Sequence, residues 1–138
     1  MKYIVLTGRI FFSLIFLMTI MSHFSAGAAS YASSAGVPMA YFLVPVSGII
    51  ASVGALSIIL GYKAKIGAWL IVIFLIPVTL IMHKFWGLSD PMQMQMQMQM
   101  AMFMKNIALL GAALMITFFG AGPLSIDARM KKKSEKNN

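Results

Sequence analysis

PMAYFLVPVSGIIASVGALSIILGYKAKIGAWLIVIFLIPVTLIMHK, residues 38–84, holds two long apolar runs joined by a short polar link, and this pairing decides the fold class. Met39 to Leu60 and Ile66 to Met82 carry no fully charged side chain. A helix crosses a bilayer's hydrocarbon core with roughly twenty apolar residues and about seventeen as a lower limit. In lipid a backbone must satisfy its own N–H and C=O groups, which leaves helices as the spanning form for such runs. The link Gly61-Tyr62-Lys63-Ala64-Lys65 is short enough to make the two an antiparallel hairpin.

Two further runs, Tyr3 to Met21 and Phe103 to Phe119, are interrupted only by Arg9 and Lys105. The expected architecture is an all-α integral membrane four-helix bundle over residues 1–127, with spans at 3–21, 39–60, 66–82 and 103–119. A basic tail, 128–138, is expected to be disordered and drawn to anionic lipid. With 138 residues, of which 60% are hydrophobic, the chain has little left for a soluble domain. The absence of cysteine removes disulfides, thiol redox chemistry and thiolate metal sites.

The cations orient the spans. With the N-terminus inside, Lys2, Arg9, Lys63, Lys65, Arg129, Lys131, Lys132, Lys133 and Lys136 face the cytoplasm and only Lys84 and Lys105 face out. That imbalance predicts an N-in, C-in protein and explains the net charge of +8 without nucleic acid. The small residues Ser25-Ala26-Gly27-Ala28-Ala29 after the first run also fit a cleavable signal peptide, but Arg9 and the run's length favour an uncleaved span.

Between the first two spans, the Ala- and Ser-rich stretch from Ser22 to Gly36 predicts a short surface helix, with Gly36 ending it and Pro38 in the first turn of the next. Gly48 and Ser52, Ser47 with Ala51 and Ala55, and Ala108 with Ala112 form small-residue stripes suited to helix contact. Pro45 and Pro77 each lack an N–H and favour kinks. From Met92 to Met104, Met stands at every second position, with Gln at 93, 95, 97 and 99. Alternation is formally a strand pattern, yet Met and Gln are good helix formers and Asp90-Pro91 resembles an N-cap with Pro at N1, so a helix from 91 to 119 is expected.

Candidate chemistry gathers at the outer ends of the spans. His23, His83, Trp86, Lys105 and Asn106 would lie at one depth and could hold a quinone head group or a small anion, its apolar body among the spans. An ordinary interfacial belt is the competing account of Trp86 and Lys84. His23, His83 and the Met tract would suit copper(I), although repeat slippage in the gene accounts for the tract without selection. Arg9 is expected to pair with Asp127 as a structural clasp. No Asp or Glu lies inside a span, which argues against a carboxylate proton relay.

Gly8-Arg9-Ile10, Gly36-Val37-Pro38, Leu60-Gly61-Tyr62, His83-Lys84-Phe85-Trp86, Phe103-Met104-Lys105-Asn106-Ile107-Ala108-Leu109-Leu110-Gly111 and Gly122-Pro123-Leu124-Ser125-Ile126-Asp127, in this order, resemble the DoxX family of small bacterial membrane proteins. The resemblance implies a multi-pass protein of the bacterial inner membrane, an oxidoreductase component linked to quinone and working with a redox-enzyme partner; a homo-oligomer is also open. Many such proteins carry a Glu in span two near the places held here by Ala51 and Ser52, and a Gly-x-x-Lys where this chain has Ser22-His23-Phe24-Ser25. Those departures weaken a proton-coupled role and leave a non-catalytic membrane scaffold as the alternative.

Overall fold

The computed structural model describes residues 1–88 and 93–137. Among the described residues six α-helices run in chain order: α1 (Lys2–Met18), α2 (Ala26–Ser34), α3 (Ala40–Leu60), α4 (Ala64–Pro77), α5 (Gln93–Phe119) and α6 (Ile126–Lys136). A 3₁₀ segment, Ile20–Phe24, extends α1, and a π-helical turn, Val78–Met82, extends α4. No strand occurs among the described residues. Four helices, Lys2–Phe24, Ala40–Leu60, Ala64–Met82 and Gln93–Phe119, are long and apolar enough to cross a membrane. The chain is therefore an all-helical membrane protein, and the four expected spans are present.

Packing proceeds from one helix to the next. α1 lies on α3, α3 on α4, and α4 on α5, while α1 and α5 have no packed interface of their own. The core is made by Phe16, Ala51, Ala55, Ile58, Ala68, Ile71, Val72, Phe74, Leu75 and Ala113. Small residues set the α3–α4 spacing, but at a different pair from the stripe expected at Gly48 and Ser52. A Cβ on Gly54 would stand 2.7 Å from the Gly67 carbonyl oxygen, so the two backbones touch directly there. On α5 the buried face holds Asn106 and Ala113 rather than the stripe of Ala108 and Ala112, and Ala108 is exposed.

The connecting pieces follow local chemistry. Ser25 caps α2, its hydroxyl accepting from the Ala28 N–H at 3.1 Å, and Gly36 closes the helix at φ +94°. Pro38 does not enter α3, as the sequence suggested, because Met39 adopts a left-handed backbone at φ 48° and the helix begins at Ala40. Pro45 sits inside α3. Pro77 ends the α-helical part of α4, and the ladder widens into the π turn, where the Thr79 hydroxyl donates to the Leu75 carbonyl at 2.6 Å. The Met-Gln tract is helical from Gln93 onward, which agrees with propensity over alternation. The Asp90-Pro91 cap lies outside the described residues.

At the opposite end of the bundle, Arg9 is 4% exposed, and its two terminal nitrogens donate to the carbonyls of Ala121 and Leu124, both at 2.8 Å. Asp127 does not receive it. Its carboxylate accepts instead from the backbone N–H groups of Lys63 (2.8 Å) and Ala64 (3.1 Å), capping α4, and its own N–H donates to the Gly61 carbonyl at 2.8 Å. The expected direct ion pair is replaced by a clasp through backbone, because the orphan N–H groups of α4 and the free carbonyls after α5 are nearer partners. The tail also departs from expectation. Ser25's device recurs at Ser125, whose hydroxyl accepts from the Ala128 N–H at 3.1 Å, and the basic segment is helical to Lys136.

Candidate functional site

A cavity of about 550 Å³ opens at the end of the bundle opposite Arg9, within the range of about 300–1,000 Å³ usual for small-molecule sites. Its floor and walls are apolar, with Phe16, Ile50, Phe74, Pro77 and Leu109 among them, and its polar groups include His23, Tyr31, His83, Lys105 and Asn106. Among the described residues none of those lining it is acidic. The lining comes from α1, α2, α3, α4 and α5, so the cavity lies among all four candidate spans.

Each polar group is placed by its own element. His23, on the 3₁₀ segment, uses its Nδ1–H to donate to the Thr19 carbonyl at 2.9 Å, since a carbonyl only accepts, and its Nε2 is left without that bond. The imidazole packs on Phe74 with ring centroids 5.8 Å apart. Gly48 makes room for it, because a Cβ there would stand 2.6 Å from the His23 Cβ. Gly48, read from the sequence as part of a helix-packing stripe, is the seat of a histidine.

His83 follows the π turn and donates from Nδ1 to the Gln99 amide oxygen at 2.9 Å, and the Gln99 nitrogen donates to the Tyr31 hydroxyl at 2.9 Å. One glutamine of the repeat therefore ties the end of α4 to α2 across the top of the cavity. Gln99 and Tyr31 were not legible as site residues. Nothing in a strict repeat distinguishes the glutamine at 99 from those at 93, 95 and 97, which are exposed.

Asn106 is 4% exposed and lines the cavity. Lys105 stays at the rim, exposed, with its ammonium 3.5 Å from the Met102 sulfur. Four of the five expected residues, His23, His83, Lys105 and Asn106, are thus brought to one cavity. Trp86 is not among them. It forms an aromatic group with Phe85 and Phe103, at ring-centroid distances of 5.4 and 6.0 Å, and is 47% exposed.

The two histidines do not converge on a metal geometry, since each ring is held by a separate partner, and among the described residues no group of three His, Cys, Asp or Glu could hold an ion.

The SURF4 family model matches residues 1–134, nearly the whole chain. The chain belongs to the SURF4 family. Among its relatives is the inner membrane protein YphA of Escherichia coli strain K12, 27% identical over 103 residues, which are 75% of this chain and 71% of that protein. Another is the Surfeit locus protein 4 homolog of Drosophila melanogaster, 29% identical over 87 residues, 63% of this chain and 32% of that protein. The chain thus matches about a third of the Drosophila relative's length. No solved structure matches. This assignment corrects the DoxX resemblance: the short motifs that suggested it are span-end features, and the whole-chain match is to SURF4. The oxidoreductase role came with that resemblance and loses its basis with it, and the quinone read from the polar residues at the outer span ends finds no support in the family. No cofactor is indicated by the family.

Proposed function

We propose that this SURF4-family protein is a non-catalytic membrane protein that binds an amphiphile with an anionic head group in the cavity at the His83 end of the bundle. The observation that carries the reading is the cavity itself, apolar on its walls with His23, His83, Lys105 and Asn106 gathered on its lining. Among the described residues the lining contains a lysine and two histidines but no carboxylate, which favours an anion over a cation. The apolar walls accept a hydrocarbon chain, and the unpacked side between α1 and α5 offers it a way in from the lipid.

We further read the bundle as N-in and C-in, in a bacterial inner membrane. The nine-to-two division of cations between its ends supports the orientation, and the name of the Escherichia coli relative supports the compartment.

The test uses the full-length protein in nanodiscs, with native mass spectrometry after release to count bound molecules. A long-chain alkyl carboxylate should bind at one per protein, the alkylammonium of equal length should not, and Lys105→Glu should weaken the carboxylate at least tenfold. Equal retention of both amphiphiles, or of neither, would overturn the reading.

A further inference from the structure

α6 is a helix held firmly at its start and free along its body. The Ser125 cap, the Asp127 bonds to Gly61, Lys63 and Ala64, and the Arg9 bond to Leu124 fix its first turn against the α3–α4 turn. From Arg129 to Lys136 every residue is exposed. Its first turn therefore stands at the rim of the bundle where α3 ends and α4 begins, the level at which both spans leave the hydrocarbon.

The residues of α6 sort by face. With about 3.6 residues per turn, Ile126 and Met130 fall on one side of the helix, and Arg129, Lys133 and Lys136 form a row along one flank of that pair. Ile126 is 37% and Met130 56% exposed, so neither is spent on the bundle. Glu135 projects from the opposite side. Asp127, the other acid, is spent on α4. The free part of the helix thus carries Arg129, Lys131, Lys132, Lys133 and Lys136 against a single unengaged carboxylate.

We propose that α6 lies along the membrane surface as an anionic-phospholipid contact, with Ile126 and Met130 at the boundary of the acyl chains, the Arg129–Lys133–Lys136 row at the phosphates and Glu135 toward water. The charge selects the partner. An apolar pair flanked by cations, with the acid on the far side, is the arrangement by which basic amphipathic helices settle into an interface, and each lysine stem covers apolar surface while its ammonium reaches a phosphate. A mobile lysine tail would lack the second element, since only a helix holds Ile126 and Met130 on one side. The clasp at Arg9 and Asp127 supplies a third. It presents the helix at membrane level before any lipid binds, so little ordering remains to be done.

The chain has no cysteine, so single reporters can be placed without altering the rest. Met130→Cys and Glu135→Cys, each spin-labelled in the full-length protein, would be compared in nanodiscs of phosphatidylcholine alone and of phosphatidylcholine with phosphatidylglycerol. The Met130 label should become accessible to oxygen and shielded from a water-soluble nickel chelate only with phosphatidylglycerol, and high salt should reverse the change. The Glu135 label should remain open to the chelate throughout. Reversal of the charges in Lys133→Glu with Lys136→Glu, at exposed positions that leave the bundle intact, should abolish the shift. Equal chelate exposure of the two labels in both lipids would overturn the proposal. So would shielding that is the same in both lipids, or that rises with protein concentration, since the contact would then be with neutral lipid or a second copy.

Discussion

Arg9 and Asp127 anchor the stretch after α5 to two different elements without binding each other: the guanidinium, from α1, holds the carbonyls of Ala121 and Leu124, while the carboxylate, just past that stretch, caps α4 at Lys63 and Ala64. The N-terminal span, the α3–α4 turn and the end of α5 are thereby joined at one point. Gly61 is confined by Arg9 and by the cap residue Ser125, since a Cβ there would stand 2.7 Å from an Arg9 nitrogen and would clash with the Ser125 Cβ.

Arg9→Leu should cost about 2–4 kcal/mol, because two carbonyls lose charge-assisted bonds in a buried setting. Asp127→Ala should cost about 1–2 kcal/mol as the loss of a helix cap. Since both act on one junction, the double variant should lose less than the two single losses added together. Unfolding midpoints of the four proteins in one detergent measure this. Strict additivity would mean that the clasp is two independent contacts.

The spans were legible because hydropathy over some twenty residues is a bulk property that tertiary context does not change. Which small residues make the contact was not. α3 offers Gly48, Ala51, Ser52, Gly54 and Ala55 within about two turns, spread over nearly half its circumference, so spacing alone cannot choose between Gly54 against Gly67 and Gly48 against His23. The same limit applied to Gln99, whose role depends on the phase of α5 relative to α4. The tail misled for another reason. Its composition reads as solvated chain, but the helix starts from Ser125 and Asp127, and a cap is a single residue whose weight composition does not register.

The Gly54 and Gly67 backbones leave no space for a methyl group. Gly67→Ala would place its Cβ 2.8 Å from the Gly54 carbonyl oxygen and 2.5 Å from the Ser57 Cβ, and should destabilise the bundle by about 1–3 kcal/mol through forced separation of α3 and α4. Gly111→Ala is the matched comparison. Nothing lies within 4 Å of the added atom and the residue is mid-helix, so stability should rise by about 0.5–1 kcal/mol. Thermal unfolding of the two variants should move in opposite directions.

Gln99 links His83 to Tyr31, whereas Gln97 on the neighbouring turn is exposed. Gln99→Leu should therefore speed amide hydrogen exchange in α2, from Ala26 to Ser34, by about tenfold, the equivalent of about 1.4 kcal/mol of lost local protection. Gln97→Leu should leave α2 unchanged. Equal effects of the two substitutions would show that the tract acts by composition and not through this bridge.

Asn106→Leu separates a structural role from a binding role. Leucine nearly matches asparagine in size, and the amide it removes lines the apolar cavity. If Asn106 waits for a ligand, the substitution puts an apolar side chain against apolar walls in the empty protein, and stability should rise by about 1 kcal/mol. The bound state changes the other way. The alkyl carboxylate loses its donor, and its affinity should fall about tenfold, or about 1.4 kcal/mol. Stability and affinity moving apart is the mark of a residue kept for binding at some cost to the fold. A loss of stability in the ligand-free protein would instead identify Asn106 as a structural group, and the cavity would then have no polar residue held in reserve for an occupant.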